Sequence, residues 1–296
     1  MRHYSIRDLE RLTGIKAHTI RIWEKRYGLI EPERTNTNIR TYCDVELKKL
    51  LNISILNRNG FKISKIATLT PEEIISNITQ LNSNSSDTES YIENLALAMI
   101  DYDEQKFERI LSRAILQMGF EDTIIHIISP FFVRIGVMWQ TGSINPAQEH
   151  FVSNLIRQKL FVAIDSLMPG DSPNKKTFLL FLREGEQHEL NLIFSNYMLR
   201  KRGYKVIYLG PNVPFNDLSE VDKVKPSDFI VTSFVTAISN NALKEYLQKL
   251  SLSFPKKTIY VSGEQFSFYN DKLPENVKYL ASPQNLVAEL NYIVAE

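Results

Sequence analysis

In the first 80 residues, apolar residues at helical spacing predict several short helices. Ser5 and Asp8 are spaced as in a capping box, and the helix they start ends after two turns at Gly14. A second helix is predicted from Ala17 to about Tyr27, so the pair forms a helix-turn-helix. The polar segment Pro32–Tyr42 has the composition of a small β-hairpin. Further helices are predicted over Asp44–Asn59 and after Ser64 and Thr70.

Residues 87–168 form a second block, in which apolar residues repeat at helical spacing throughout. About four helices in 80 residues predict a four-helix bundle. The polar stretch Asn82–Asp87 has no apolar residue, and we interpret it as a flexible linker after a first domain, residues 1–80. The Pro- and Gly-containing cluster Pro169–Asn174 is expected to end the second block.

Residues 175–296 form a third block, in which short apolar runs alternate with helical patterns. Such alternation predicts a parallel sheet with right-handed crossovers. Five strands in about 120 residues fit the flavodoxin-like order. The chain is therefore expected to be a multidomain α and α/β protein. The predicted strands are Thr177–Leu182, Lys205–Leu209, Asp228–Ser233, Thr258–Ser262 and Val277–Leu280.

Charge is distributed unevenly along the 296 residues. The formal net charge is only +1, but residues 1–70 hold 14 Lys+Arg and 7 Asp+Glu, so the other 226 residues carry −6. A basic head on an acidic body indicates an anionic polymer as the partner of the head. No apolar run reaches the roughly 18 residues of a membrane helix. The single Cys43 excludes an internal disulfide, and a cytoplasmic protein is expected.

The second predicted helix carries the chemistry of the head. His18, Arg21 and Lys25 lie three and four residues apart and share one face, whereas Ile20 and Trp23 are expected to point inward. The turn, this helix, the hairpin and the following helix resemble, in order over residues 4–65, the winged-helix head of MerR-family transcription regulators. The resemblance implies a double-stranded DNA operator as partner. The implied DNA-binding residues are His18, Thr19, Arg21, Lys25 and Arg26 on the helix and Arg34, Arg40 and Tyr42 in the wing.

Two further motifs lie in the body. Trp139 precedes a Glu149-His150 pair, and Glu186-x-His188 follows the first strand of the third block. This combination resembles the cobalamin-binding, light-responsive MerR regulators of the CarA/CarH/LitR group, over nearly the whole chain. In that group the histidine after the first strand coordinates cobalt, and an acidic residue two positions earlier orients its ring. The resemblance therefore makes His188 a cobalt ligand oriented by Glu186. It places Trp139, Glu149 and His150 over the upper face of the cofactor, and Asn191, Ser233 and Gly263 beside the rest of it.

Three positions depart from the pattern of that group. Asn191 stands where the group has Gly, Gly263 stands alone where it has a Gly pair, and Gln140 replaces the histidine that captures cobalt in the photoreceptors. The leading hypothesis is a regulator, more specifically a repressor, whose sensor binds adenosylcobalamin or a related form and controls assembly into a dimer or tetramer. The alternative is a cobalamin-independent regulator whose sensor domain binds an antirepressor protein or another small ligand.

A cobalamin-dependent enzyme or carrier is a third hypothesis. The sequence has no Gly-rich phosphate loop, no His/Cys zinc spacing and no nucleophile elbow, so we do not expect an enzyme. His126 lies in an apolar helix and is expected in the core.

Overall fold

The computed structural model describes residues 4–34, 38–58, 60–82, 88–140, 144–167, 176–282, 285–286 and 288–289. The chain forms two compact units, residues 1–152 and 153–296. Among the described helices, none is both long and apolar enough to cross a membrane.

The head, residues 4–82, is a winged helix-turn-helix. Ser5 and Asp8 form the predicted capping box, and Gly14 ends the first helix with φ of 70°, a left-handed conformation that glycine adopts without strain. The predicted second helix is confirmed from Ala17 to Tyr27. The elements are α1 (Ile6–Thr13), α2 (Ala17–Tyr27), β1 (Glu33–Arg34), β2 (Arg40–Thr41), α3 (Asp44–Arg58), α4 (Ile63–Ile66) and α5 (Pro71–Asn82).

The helical block, residues 88–152, completes the first unit. Its elements are α6 (Thr88–Ile100), α7 (Glu104–Met118), α8 (Phe120–Thr123), a π-helical turn (Ile124–Ile128), α9 (Ser129–Gln140) and the start of α10 (Pro146–Asp165). The rings of Phe107 and Phe131, both fully buried, pack 6.0 Å apart between α7 and α9. The expectation of a buried His126 was wrong, because this side chain is exposed on the π-helical turn.

The head packs directly on the helical block. Helix α1 contacts α9, and α3 contacts α6. The predicted linker lies at residues 82–87, of which 83–87 are outside the described residues.

The second unit is a doubly wound α/β domain. Its five strands are all parallel, in the order β4-β3-β5-β6-β7, which confirms the predicted flavodoxin-like topology. The predicted breaker cluster at 169–174 lies outside the described residues. The elements are β3 (Thr177–Arg183), α11 (Leu190–Lys201), β4 (Lys205–Val213), α12 (Phe215–Val224), β5 (Phe229–Ser233), α13 (Asn240–Ser253), β6 (Thr258–Ser262) and β7 (Val277–Tyr279).

The sheet positions one crevice for a ligand. Alternate strand residues, such as Leu179 and Ile230, pack against α12 and α13 in one buried cluster, and α11 lies against the other face. The chain leaves β3 to form β4 on one side and returns to form β5 on the other. In open α/β sheets, ligands bind at the carboxyl ends of the strands where the order reverses in this way. The candidate ligand crevice therefore lies between the carboxyl ends of β3 and β5.

Candidate DNA-binding surface and cofactor site

Helix α2 separates its inner and outer faces cleanly. Ile20 and Trp23 are buried, which confirms the inward positions predicted for them. The opposite side presents polar and basic residues. His18, Arg21, Lys25 and Arg26 are exposed, and Thr19 is half-buried. The predicted basic face is therefore available to a major groove.

The two arginines predicted in the wing differ in their surroundings. The Arg40 Nε lies 3.1 Å from a carboxylate oxygen of Glu24 on α2, so Arg40 braces the wing against the helix. Arg34 is exposed and donates to Asn38 Oδ1 at 2.6 Å.

Tyr42 departs from its predicted role. The side chain is fully buried, and its hydroxyl donates to Glu24 at 3.3 Å, so it has no surface to offer to DNA. Burial, followed by the nearby Glu24 charge, raises the pKa of Tyr42 to about 12. Its backbone pairs with Tyr4 in an isolated bridge. Tyr42 therefore supports the wing from inside rather than contacting a groove.

One exposed residue of α2 was missed by the sequence reasoning. Ile22 is 51% exposed, although isoleucine is usually buried. It follows His18 by four residues and precedes Lys25 by three, so it shares their face. That spacing was the available signal. An apolar side chain on a groove-facing surface can contact the methyl group of thymine.

A buried carboxylate lies at the crevice between β3 and β5. Glu186, in the loop after β3, is fully buried and receives the backbone N–H groups of Val235 and Thr236 on Oε2, at 2.8 and 2.7 Å. Its Oε1 accepts from the Thr236 hydroxyl at 2.8 Å and from the backbone N–H of His188 at 3.0 Å. Burial alone would raise the pKa of Glu186, but these hydrogen bonds outweigh it and lower the pKa to about 2. The group is therefore ionised at neutral pH.

The charge of Glu186 fixes the ring of His188. The Nδ1 atom lies 2.7 Å from Glu186 Oε1, and half of the side chain is exposed. With the Nδ1 proton directed at a carboxylate, the lone pair of the neutral ring is on Nε2, the form that ligates a metal. The Thr236 hydroxyl also lies 3.2 Å from Nδ1. Thr236 was not predicted, because no local pattern marks it.

The next residue anchors the start of α11. Glu189 accepts from Arg157 Nη1 at 2.8 Å and from the Tyr208 hydroxyl at 3.0 Å. Burial, with the added effect of the Glu189 charge, raises the pKa of Tyr208. These contacts fix the loop that carries His188 from its C-terminal side, as Glu186 does from its N-terminal side.

The three residues predicted to lie beside the rest of the cofactor are found at strand ends or on α11. Ser233, at the end of β5, is buried, and its Oγ has no hydrogen-bond partner among the residues that the structure describes. Asn191 is exposed in the first turn of α11. Gly263 has φ of 111°, and a Cβ there would lie 2.2 Å from the carbonyl oxygen of Phe234. The glycine is therefore required by close packing of the loops after β5 and β6.

The predicted cap residues lie in the helical block. Glu149 is half-buried and His150 is exposed, in the first turns of α10. Asn145 caps this helix by accepting from the backbone N–H of Gln148 at 2.8 Å. Trp139 and Gln140 lie in the last turn of α9, but their side chains are outside the described residues. Within the described part of the chain, no cluster of three or more His, Cys, Asp or Glu side chains is arranged to hold a metal ion.

Two protein-family models match this chain. The MerR HTH family regulatory protein model matches residues 4–73, and the B12 binding domain model matches residues 91–163. The chain is 26% identical to the HTH-type transcriptional repressor CarH of Myxococcus xanthus over 88% of its length and 89% of that protein. It is 28% identical to the repressor CarA of the same organism, over 78% of this chain and 76% of that one.

A solved structure supports the fold of the body. The monomethylamine corrinoid protein of Methanosarcina barkeri superposes with a TM-score of 0.55 at 17% sequence identity, covering 70% of this chain and all of that one. Similarity at this level concerns the fold alone. The chain thus carries a MerR-type helix-turn-helix region, a B12-binding region and a corrinoid-protein-like α/β fold.

Proposed function

We propose that this chain, in which a MerR-type helix-turn-helix region precedes a B12-binding region, is a transcriptional regulator whose body senses a cobalamin. Adenosylcobalamin is the form we favour, and repression through a dimer or tetramer is the mode of action. The observation that carries the proposal is the Glu186–His188 pair at the reversal point of the sheet, in a chain that also exposes a basic recognition helix.

The donor set of the crevice fits such a cofactor. With its Nδ1 proton directed at Glu186, His188 would offer Nε2 to a metal, and the buried Ser233 hydroxyl has no hydrogen-bond partner among the described residues. His188 would hold the cobalt, Glu186 and Thr236 would fix its ring, and Ser233 would bind the nucleotide tail. A bound cobalamin would supply a cobalt centre that can exchange ligands. The chain's own part is to orient His188 and to hold the proton on Nδ1.

Binding can be tested by absorption. The full chain is mixed with adenosylcobalamin in the dark, separated from free cofactor by size exclusion, and its visible spectrum and mass are recorded. The proposal expects a coloured protein with a changed assembly state. His188→Ala should lose the colour, whereas His126→Ala, which removes an exposed histidine elsewhere, should retain it.

A second candidate function is favoured by Gly263, because a Cβ there would lie 2.2 Å from the Phe234 carbonyl oxygen, so close packing of the chain is enough to require this glycine. In that case the body binds an antirepressor protein or another small ligand, and the head still binds DNA. A colourless protein of unchanged mass that shifts DNA in a gel would support this candidate and contradict cobalamin sensing.

A further inference from the structure

One arginine contacts both the head and the helical block. Arg58, the last residue of α3, donates from Nη2 to the carbonyl oxygen of Thr13 at 2.9 Å, where α1 ends and the turn to α2 begins. Its Nη1 lies 3.0 Å from Glu89 and 2.9 Å from Glu93, both on α6. One planar guanidinium therefore bridges the turn before the recognition helix and the first helix of the block.

Glu93 is the buried acidic partner of Arg58 in this junction. It is 1% exposed, and its Oε1 accepts from the Ser54 hydroxyl at 3.1 Å. The same hydroxyl lies 3.2 Å from the carbonyl oxygen of Thr13, so α3 reaches the turn at two points. A buried carboxylate is tolerated only with partners, and removing one leaves an uncompensated charge. The contact therefore holds α6, α3 and the turn in one arrangement.

The junction extends to α9. The side chain of Arg134, which is 13% exposed, forms an ion pair with Glu89 at 3.3 Å. Helix α9 also packs on α1 and carries Trp139 in its last turn. A continuous set of contacts thus leads from α9 through Glu89 to Arg58 and on to the turn. We call Arg58, Glu89, Glu93 and Arg134 the Arg58 cluster.

We propose that Arg58 is a positioning residue for the recognition helix, and that the Arg58 cluster couples the orientation of α2 to the position of α9. A group with several charged partners in a partly buried site changes between discrete arrangements rather than continuously. A shift of α9 would therefore change how Arg58 holds the Thr13 carbonyl. The inference rests on the proposed function for its biological meaning, namely that α9 belongs to the sensor.

A double-mutant cycle in the full chain tests the coupling at pH 8. The variants are Arg58→Met, Arg134→Met and the pair together. One readout is hydrogen exchange of the Ile15 and Ala17 amides, which donate to Thr13 Oγ1 and Glu10 Oε2 in the turn. The other is affinity for a DNA site selected from a random pool. Each single change should speed exchange and weaken DNA binding about fivefold or more. The Arg134→Met effect should disappear in the Arg58→Met background.

Asp101→Asn is the matched control. It breaks the ion pair of Asp101 with Lys48, which also connects the block to α3 but does not touch the turn. This variant should leave the two turn amides and DNA affinity unchanged. Exchange in α7 serves as an internal reference, because a merely structural loss of stability would accelerate it equally.

Effects of Arg58→Met and Arg134→Met that simply add, or an Arg134→Met variant that behaves as wild type, would overturn the coupling. A wild-type chain that binds no DNA would contradict the proposed function instead. The exchange cycle would still decide the inference, since it needs no DNA.

Discussion

Ile22 is an exposed apolar residue on the face of α2 that carries His18 and Lys25. Its 51% exposure between His18 and Lys25 predicts contact with a thymine methyl group. Replacing one thymine of the bound site by deoxyuridine removes that methyl and should cost about 0.8 kcal/mol, roughly fourfold in affinity. In Ile22→Ala the same replacement should cost nothing. Titrations of both proteins against both DNA molecules measure the difference.

Arg21→Ala is the control, since it removes a neighbouring charge and should keep the thymine preference while lowering overall affinity. A site at which no thymine is sensitive to deoxyuridine would refute the role of Ile22.

Glu186 should make stability depend on acid pH. Its pKa of about 2 lies below the ordinary 4.5, so ionised Glu186 stabilises the fold above pH 4.5, and this contribution is lost as pH falls toward 2. Glu186→Gln should therefore lower the free energy of unfolding at pH 7 by up to about 3 kcal/mol. Urea titrations of both proteins at several pH values should show the gap closing near pH 2. A gap that is constant with pH would contradict this.

Glu93 should make stability depend on pH in the opposite direction, so that stability is lost as pH rises. Burial raises its pKa to about 7, against the lowering effects of Arg58 and Arg134. Its contribution is then fully present below pH 4.5 and is lost as pH rises through 7. The stability of Glu93→Gln relative to wild type should consequently improve between pH 5 and pH 8. The same urea titrations measure it, and a relative stability that stays constant over this range would show that Glu93 stays ionised in the fold.

Sequence reasoning succeeded for residues whose role follows from local spacing. Ile20 and Trp23 were correctly placed inward from helical periodicity alone. Tyr42 was misassigned because its burial depends on Tyr4 and Glu24, which lie far from it along the chain. Thr236 was missed for the same reason, since only the fold brings it to Glu186. Long-range contacts are the information that a local pattern lacks.

At the scale of elements, the α1–α2 turn is tightly constrained. Gly14 has φ of 70°, and a Cβ there would lie 2.6 Å from Arg58 Nη2. Gly14→Ala should destabilise the head by about 1–2 kcal/mol through backbone strain and should also displace the guanidinium. Gly28→Ala is a matched control, because Gly28 has φ of 60° with no atom within 4 Å. Thermal unfolding should show the larger loss for Gly14→Ala, and equal losses would mean that Arg58 moves aside freely.

Most elements were predictable because capping residues and apolar runs mark them. The exceptions have physical causes. Strand β4 continues to Val213 rather than ending at Leu209, through register shifts opposite Phe181 and positive φ at Gly210 and Asn212. Such bulges interrupt the alternation of side chains that identifies a strand. The π-helical turn at Ile124–Ile128 is equally hidden, since its composition is that of an ordinary apolar helix.

At the scale of the whole molecule, packing of the head on the helical block could not be predicted from the sequence. The polar stretch Asn82–Asp87 was interpreted as a flexible linker, which by itself indicates no contact between the head and the block, whereas residues 1–152 form one compact unit. A few charged residues spread over three helices make part of this contact, and none stands in a local pattern. The uneven charge, in contrast, was visible from composition and assigns DNA binding to the head.

That unequal charge leads to a salt-dependent prediction for the full chain. Because basic residues of the head would displace counterions from DNA phosphates, log affinity should fall linearly with log salt, by about 0.9 for each phosphate contact. Lys25 is exposed on α2, and Lys25→Ala should reduce this slope by about 1 per head if it contacts a phosphate. Lys205→Ala, which removes an exposed lysine of the second unit, should leave the slope unchanged. Affinities measured between 50 and 200 mM salt test this. A slope that responds equally to both changes would mean that the second unit also holds DNA.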